Sequence, residues 1–393
     1  MTKKVLVIGG GIAGPVTAMA LQRAGLDVEV FEAYDRGSEG VGAFLTIAIN
    51  GLEALRVLGL REQVASLGMD SPRMEIRNGR GKRLATLTQP SRTLKRSDLY
   101  RTLRDEAVRR GVRITYGKRL TDASITRDGV RAVFADGGEA RGDLLVGADG
   151  LRSRTRTLID PGAPRARHVG LLNTGGFATG VTVPGEPGTS HFIFGRRCFF
   201  GYLIHPDGQV WWFANPPSPR EPTREELAAI TPAQWRARLG ELFRDDTGPM
   251  LDIIRATDDI PPAWNTYDFP SVPRWFNERM VIVGDAAHAT SPSSGQGASM
   301  AIEDAVTLGR CLRDVPVTRE AFAAFERLRR ERVERVVAQG RRNGSGKAPG
   351  VAGAFVRDLV LPVIMRYAAK GDATAWMYDH RVSWDDPVPA PAR

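Results

Sequence analysis

Val5-Leu6-Val7-Ile8-Gly9-Gly10-Gly11-Ile12-Ala13-Gly14 is the stretch from which the fold of this chain can be read outward. A short apolar run that breaks into glycine reads as a strand buried on both faces of a parallel sheet. From Ile12 to Arg23 apolar side chains recur at helical spacing, Gly25 ends the pattern, and Asp27 to Glu32 forms a second strand. Strand, helix and second strand make a complete βαβ unit. Its turn satisfies G-x-G-x-x-G in the setting where that pattern binds a dinucleotide. Gly9 allows the tight turn, Gly11 lets the backbone approach a pyrophosphate, and Gly14 lets helix and strand pack closely. Ile12 and Ala13 open the helix, whose free N–H groups and positive dipole end favour phosphate. Glu32, closing the second strand, is placed to accept hydrogen bonds from a ribose. The motif alone leaves FAD and NAD open.

Further along, Leu144-Leu145-Val146 and Met280-Val281-Ile282-Val283 are apolar strands that also run into glycine and aspartate, and Arg96–Arg110 and Gln296–Leu312 have amphipathic helical spacing. Between about Val169 and Pro273 the texture changes. Thr174–Val183, His191–Phe194, Phe199–His205 and Gln209–Asn215 are aromatic, strand-like and separated by turn signals such as Pro206-Asp207-Gly208. The expected fold is therefore α/β, a Rossmann-like nucleotide-binding domain that is discontinuous, with a mostly antiparallel β-sheet substrate domain inserted into it. Residues 1–70, 96–168 and 275–345 are assigned to the first domain and 71–95 and 169–274 to the second. Gly346–Lys370, apolar with Pro362 inside it, reads as a kinked C-terminal helix, and 346–393 as that helix plus a loose tail.

Composition narrows the class. The 393 residues exceed the size at which single cores usually divide, and a 42% hydrophobic content is enough for a large core. The net charge of +10 comes from arginine scattered from Arg23 to Arg393, not from one basic face, so no nucleic-acid partner is expected. Cys198 and Cys311 are too few for a disulfide framework and too far apart for paired metal ligation, and no metal site is expected. No apolar run is long enough for a membrane span, and the first residues read as a strand and not a signal peptide, so a cytoplasmic protein is expected.

Two more stretches carry the chemistry. Leu145-Val146-Gly147-Ala148-Asp149-Gly150-Leu151-Arg152-Ser153-Arg154-Thr155-Arg156 is one; the other runs from Met280 through Gly284-Asp285-Ala286-Ala287-His288 and Pro292-Ser293-Ser294-Gly295-Gln296-Gly297-Ala298-Ser299 to Ala305. With the opening glycine motif, in this order and with a sheet domain between the second and third, they resemble the three fingerprints of the flavoprotein aromatic hydroxylases. These class A FAD-dependent monooxygenases form the superfamily of para-hydroxybenzoate hydroxylase and the tetracycline-inactivating monooxygenase. The resemblance implies that FAD is bound, with Asp285 accepting from the ribityl hydroxyls and Arg96 reaching FAD. Backbone N–H groups near Gly297 and Ala298, after the turn at Pro292, are implied to face the flavin, and Gly42 to lie beside its ring. For Asp149 the resemblance implies a place near the pyrophosphate; a turn capping the following helix is the alternative. Many relatives have Asn where Ser299 stands, so only a backbone role carries over there, and His288 is implied to be structural.

The same resemblance implies that NADPH or NADH docks transiently, since no second dinucleotide-binding unit is present. O2 is then the co-substrate, and a flavin C4a-hydroperoxide passes one oxygen to an aromatic or polyketide-like small molecule by hydroxylation, epoxidation or Baeyer–Villiger insertion. The hard chemistry would belong to the cofactor, in keeping with the lack of a catalytic triad or carboxylate pair, and no catalytic side chain is named. Phe194, Tyr202 and Trp212 are candidates for the substrate pocket, although alternation along Gln209–Asn215 does not say which face points inward. A monomer or weak homodimer is expected. The rival reading is a flavin-dependent dehydrogenase or reductase of the geranylgeranyl reductase type, without oxygen insertion.

Overall fold

The computed structural model describes residues 2–35, 43–345, 347, 360 and 375–389. Five parallel strands form the central sheet, in the order Met280–Ile282, Leu144–Gly147, Lys4–Ile8, Asp27–Phe31 and Arg113–Thr115. Lys4–Ile8, Leu144–Gly147 and Met280–Ile282 carry the apolar runs legible in the sequence, and Val5, Leu6, Val7, Leu144, Leu145 and Val146 have no exposed surface. Burial on both faces is why these strands are continuously apolar and not alternating.

Helices Ala13–Arg23 and Gly297–Asp314 pack together. A Cβ at Gly309 would meet the Ala20 carbonyl oxygen at 2.9 Å, so glycine permits the close crossing. An antiparallel meander, Leu120–Ile125, Val130–Phe134 and Glu139–Gly142, adds its apolar face to the same core, with Phe134 stacked on Phe31 at 4.9 Å. The long helix Thr318–Ser345 lies against Gly297–Asp314.

The second large element is a seven-stranded sheet in the order Trp264–Asp268, Arg167–Ala178, Val210–Asn215, Phe199–Ile204, Thr189–Phe194, Arg73–Asn78 and Arg83–Thr88. All its pairs are antiparallel except Thr189–Phe194 with Arg73–Asn78. One face is covered by helices Pro232–Phe243 and Met250–Arg255, which enclose a core of Trp212, Phe200, Trp235 and Phe243. The strand read from the sequence at Thr174–Val183 runs instead from Arg167 to Ala178. Its first part pairs with Trp264–Asp268 across an irregularity around Gly170 (φ +76°), and Gly180 (φ +68°) follows its end. A small sheet of Phe44–Ala48, Ser91–Lys95 and Met69–Asp70 lies beside the uncovered face. The kinked helix expected over Gly346–Lys370 lies outside the described residues except at Lys347 and Val360, as does Gly42. No helix among the described residues is long and apolar enough to cross a membrane.

Candidate functional site

The three fingerprints meet at the carboxyl ends of the parallel strands. Gly9 holds φ +104°, and a Cβ there would lie 2.3 Å from the Ala148 carbonyl oxygen, so the first motif is pressed against the second. A Cβ on Gly14 would lie 1.9 Å from the Gly9 carbonyl oxygen, which fixes the helix close to its strand. Gly284, at φ +59°, sits between Ala301 and Ala13, where an added Cβ would lie 3.2 and 3.4 Å from their methyl groups, so the third motif meets the first. Gly11 differs: nothing lies within 4 Å of where its side chain would be, so this glycine faces open space. The helix behind it begins after Ile12 with no side-chain cap, leaving its N-terminal N–H groups to that space.

Charged groups line the cleft. Asp285 is exposed, yet enclosing protein raises its pKa by desolvation, against the lowering influence of His288 and Arg96. Asp285 is thus open to solvent yet closely surrounded by protein. Desolvation also lowers the pKa of Arg96, which Asp285 opposes, and the two side chains thus stand in each other's field. Glu32 is buried; its carboxylate accepts from the Gly10 N–H at 2.6 Å and the Tyr34 N–H at 2.9 Å. Since an ionised carboxylate offers about four acceptor sites, capacity remains for a further donor.

Asp149 braces the turn before the helix Arg154–Ile159, whose N-cap is Ser153. It accepts from Ser153 Oγ at 2.5 Å and from the N–H and Oγ1 of Thr155 at 2.9 and 3.0 Å. Its turn shapes the wall against Gly9. Pro292 opens a short 3-10 turn, Pro292–Ser294, that ends at Gly295 (φ +64°). Gly297 and Ala298 then begin their helix, half-buried and with no side-chain cap. Ser299 Oγ accepts from the Ala48 N–H at 3.3 Å, and a Cβ on Gly51 would come within 2.6 Å of that oxygen. Ser299 is therefore part of a helix contact.

Beneath the third motif lies a charge network that the sequence reading missed. Asp304, fully buried, accepts from the Gly284 N–H at 2.9 Å, pairs with His288 Nε2 at 2.5 Å and receives Arg329 Nε at 2.7 Å. Glu303, also fully buried, receives Arg329 at 2.6 Å, Arg332 at 2.8 Å and Asn50 Nδ2 at 2.7 Å. Burial acts to raise both carboxyls. His288 and Arg329 overcome it at Asp304, and Arg329 and Arg332 at Glu303, bringing each down to about 2. The available signal was the pair Glu303-Asp304 amid the apolar residues Met300, Ala301, Ile302, Ala305 and Val306, together with Arg329 and Arg332 three residues apart. His288 thus belongs to this buried network.

On the seven-stranded sheet the two faces separate cleanly. Trp212 Nε1 donates to Thr257 at 2.8 Å and its ring stacks on Phe200, while Tyr202 donates to the Pro184 carbonyl at 2.7 Å and stacks on His191. Both belong to the helix-covered core, which corrects the expectation that they line the pocket. Alternation puts Trp211, Phe213 and Asn215 on the other face, where Phe194 also points, paired through Phe199. There Phe44 lies 5.6 Å from Trp211 and 6.1 Å from Phe213, and Lys95, beside Arg96, lies over Phe177 and Trp211. Half-buried aromatic rings thus face the small sheet that leads to Arg96 and the cleft.

Comparison with known proteins agrees with this geometry. A family model described as "FAD binding domain" matches residues 2–339. The FAD-dependent urate hydroxylase of Klebsiella pneumoniae is 30% identical over 354 residues, spanning 86% of this chain and 89% of that protein. The aurachin C monooxygenase/isomerase of Stigmatella aurantiaca is 30% identical over 368 residues, 91% of this chain and 93% of its own. Among solved structures, a variant of Klebsiella pneumoniae HpxO complexed with FAD superposes with a TM-score of 0.84 at 25% identity, over 96% of this chain and 99% of that one.

Proposed function

The chain belongs to the FAD binding domain family, and from that premise we propose that this FAD-dependent monooxygenase uses NADH or NADPH and O2 to oxygenate an aromatic or polyketide-like small molecule. The observation that carries the reading is the convergence of three separated glycine-and-acid motifs on one cleft. The residues present fit FAD. Gly11 faces space that any side chain would fill, an uncapped helix end offers N–H groups, and Asp285 and Arg96 present an acceptor and a donor in the cleft.

In this reading the N–H groups of Gly11, Ile12 and Ala13 hold the pyrophosphate, and Glu32 uses its remaining acceptor capacity on the adenosine ribose. Asp285 accepts from ribityl hydroxyls while Arg96 donates to cofactor oxygen. Gly9, Gly14 and Asp149 shape the wall. Gly297 and Ala298, brought round by the turn at Pro292, place helix N–H groups and positive dipole where negative charge develops on reduction. When bound, FAD supplies hydride acceptance and oxygen activation. The aromatic face from Phe44 to Phe213 packs against the substrate ring and keeps water away from the reacting centre.

The test is turnover under labelled dioxygen with purified holoenzyme and a panel of phenols, polyketides and nitrogen heterocycles. One labelled oxygen per product, with one NAD(P)H consumed, is expected. Product formed without label would refute oxygen insertion and leave a flavin dehydrogenase.

A further inference from the structure

We propose that Lys347 is the specificity-determining cation of the substrate site, where its ammonium receives an anionic oxygen, phenolate or carboxylate, of the aromatic substrate. This rests on the monooxygenase reading of the cleft and deepens it by naming the substrate's charge. In the structure the Lys347 N–H donates to the Gly344 carbonyl at 3.1 Å, just beyond the long helix Thr318–Ser345, and its side chain crosses to the uncovered face of the sheet. There Lys347 is only 6% exposed. Its Nζ donates to Asn215 Oδ1 at 2.7 Å and sits 4.1 Å from the ring centre of Phe199 and 5.6 Å from that of Phe213.

Asn215 is itself fixed, its Nδ2 donating to the Leu172 carbonyl and to Asn173 Oδ1, both at 3.2 Å, so its oxygen is turned to the ammonium. Among the described residues no carboxylate lies within ion-pairing distance of Nζ. The titratable group in its field is the thiol of Cys198, which burial pushes far up and keeps neutral, with Asp246 and Arg238 acting on Cys198 in turn. An ammonium has three donors, and one neutral amide accepts one of them. Desolvation consequently holds the lysine down at about 7.

A cation this buried is costly unless an opposite charge joins it. The neighbouring surface says what shape the partner has. Phe213 is half-buried beside it, half-buried Phe194 packs on Phe199 at 4.9 Å, and Lys95 stands at the other end of the same aromatic face, over Phe177 and Trp211. A flat ring bearing an anionic oxygen satisfies both the rings and the charge. Lys347 stays protonated in the complex, and a phenol gives its proton to solvent on binding, which leaves the ring more electron-rich for attack.

The test measures binding to oxidised holoenzyme, with no nicotinamide, by the change in flavin absorbance. Benzoate is compared with methyl benzoate, and pentafluorophenolate with pentafluoroanisole, so that carboxylate and phenolate are separate arms. At least one anion should bind about tenfold or more tightly than its methyl derivative, the worth of a hydrogen bond to a charged group. In Lys347→Met that preference should vanish while the neutral ligands stay within about twofold, and Lys347→Arg should restore it.

In the wild type the preferred anion should weaken by about tenfold per pH unit above about 7. This holds even if the methionine variant fails to fold. No anion preference, a preference retained in Lys347→Met, or a pH-independent anion affinity would each overturn the proposal. Because this readout involves no oxygen, failure of label incorporation during turnover is a separate result.

Discussion

Arg329→Met should expose how the third motif is held. Arg329 is 1% exposed and bonds two fully buried carboxylates, Asp304 at 2.7 Å and Glu303 at 2.6 Å. Removing one partner of a buried pair leaves uncompensated charge and costs about 3–5 kcal/mol. The carboxyl shifts lead to the same range. Each acid is held about two pKa units below its ordinary value, worth roughly 1.4 kcal/mol per unit, and Arg329 shares that work with Arg332 and His288. We therefore expect a loss of about 3–4 kcal/mol near neutral pH. At about 2 °C per kcal/mol for a large chain, the melting temperature should fall by roughly 6–8 °C.

The pH dependence has a definite sign. In the wild type both folded pKa values are depressed, so their contribution is present above the ordinary carboxyl range and lost only as pH falls towards about 2. In the variant, burial without Arg329 raises them, and the carboxyls recover stability by binding protons as pH falls towards the unfolded values near 4. The deficit should therefore be larger at pH 7.5 than at pH 5. Since Asp304 also holds the Gly284 N–H and His288, FAD should dissociate more readily. Urea unfolding and flavin release at both pH values are the assays. A deficit below about 1 kcal/mol at neutral pH, or one that does not change with pH, would refute the reasoning.

Other expectations concern single side chains. Asp285→Asn should weaken FAD binding by about tenfold or more yet leave the apoprotein as stable as the wild type, since the carboxyl lines the cleft; equal flavin retention on gel filtration would count against its assigned role. Gly14→Ala forces a methyl to 1.9 Å from the Gly9 carbonyl oxygen, so both stability, by about 1–3 kcal/mol, and flavin content should drop; an unchanged melting curve would show that the turn can yield. Trp212→Ala should cost about 3–5 kcal/mol with ligand selectivity unchanged, whereas Phe213→Ala should alter KM across aromatic substrates more than it alters stability. A reversed pattern would move the pocket to the helix-covered face.

The glycine motifs were legible because what they require is local. A positive φ at Gly9 and a close helix–strand approach at Gly14 constrain the residue type whatever lies farther off, so their spacing alone announces the turn. Unbroken apolar strands likewise betray a sheet covered on both faces. The seven-stranded sheet was readable as aromatic and mostly antiparallel, but its first strand lay earlier than its apolar content implied. The pairing of Arg167 with Asp268 across the irregularity at Gly170, and not composition, sets that start.

Fold class and the meeting of three motifs were thus properties of the sequence by itself, because backbone sterics and strand burial leave the same marks wherever they occur. Which side of the sheet is wet was not. Alternation sorts Trp211, Phe213 and Asn215 from Val210, Trp212 and Ala214, but only the packing of helices Pro232–Phe243 and Met250–Arg255 makes one set core. That Asp149 holds Ser153 and Thr155 could not be told from its motif. Arg329 and Lys347 are single cations in a basic chain, and their burial, one between two acids and the other against an amide and two rings, is created by segments distant in sequence coming together. Charge becomes consequential only where tertiary contacts remove water from it, and that removal is a property of the folded assembly of elements.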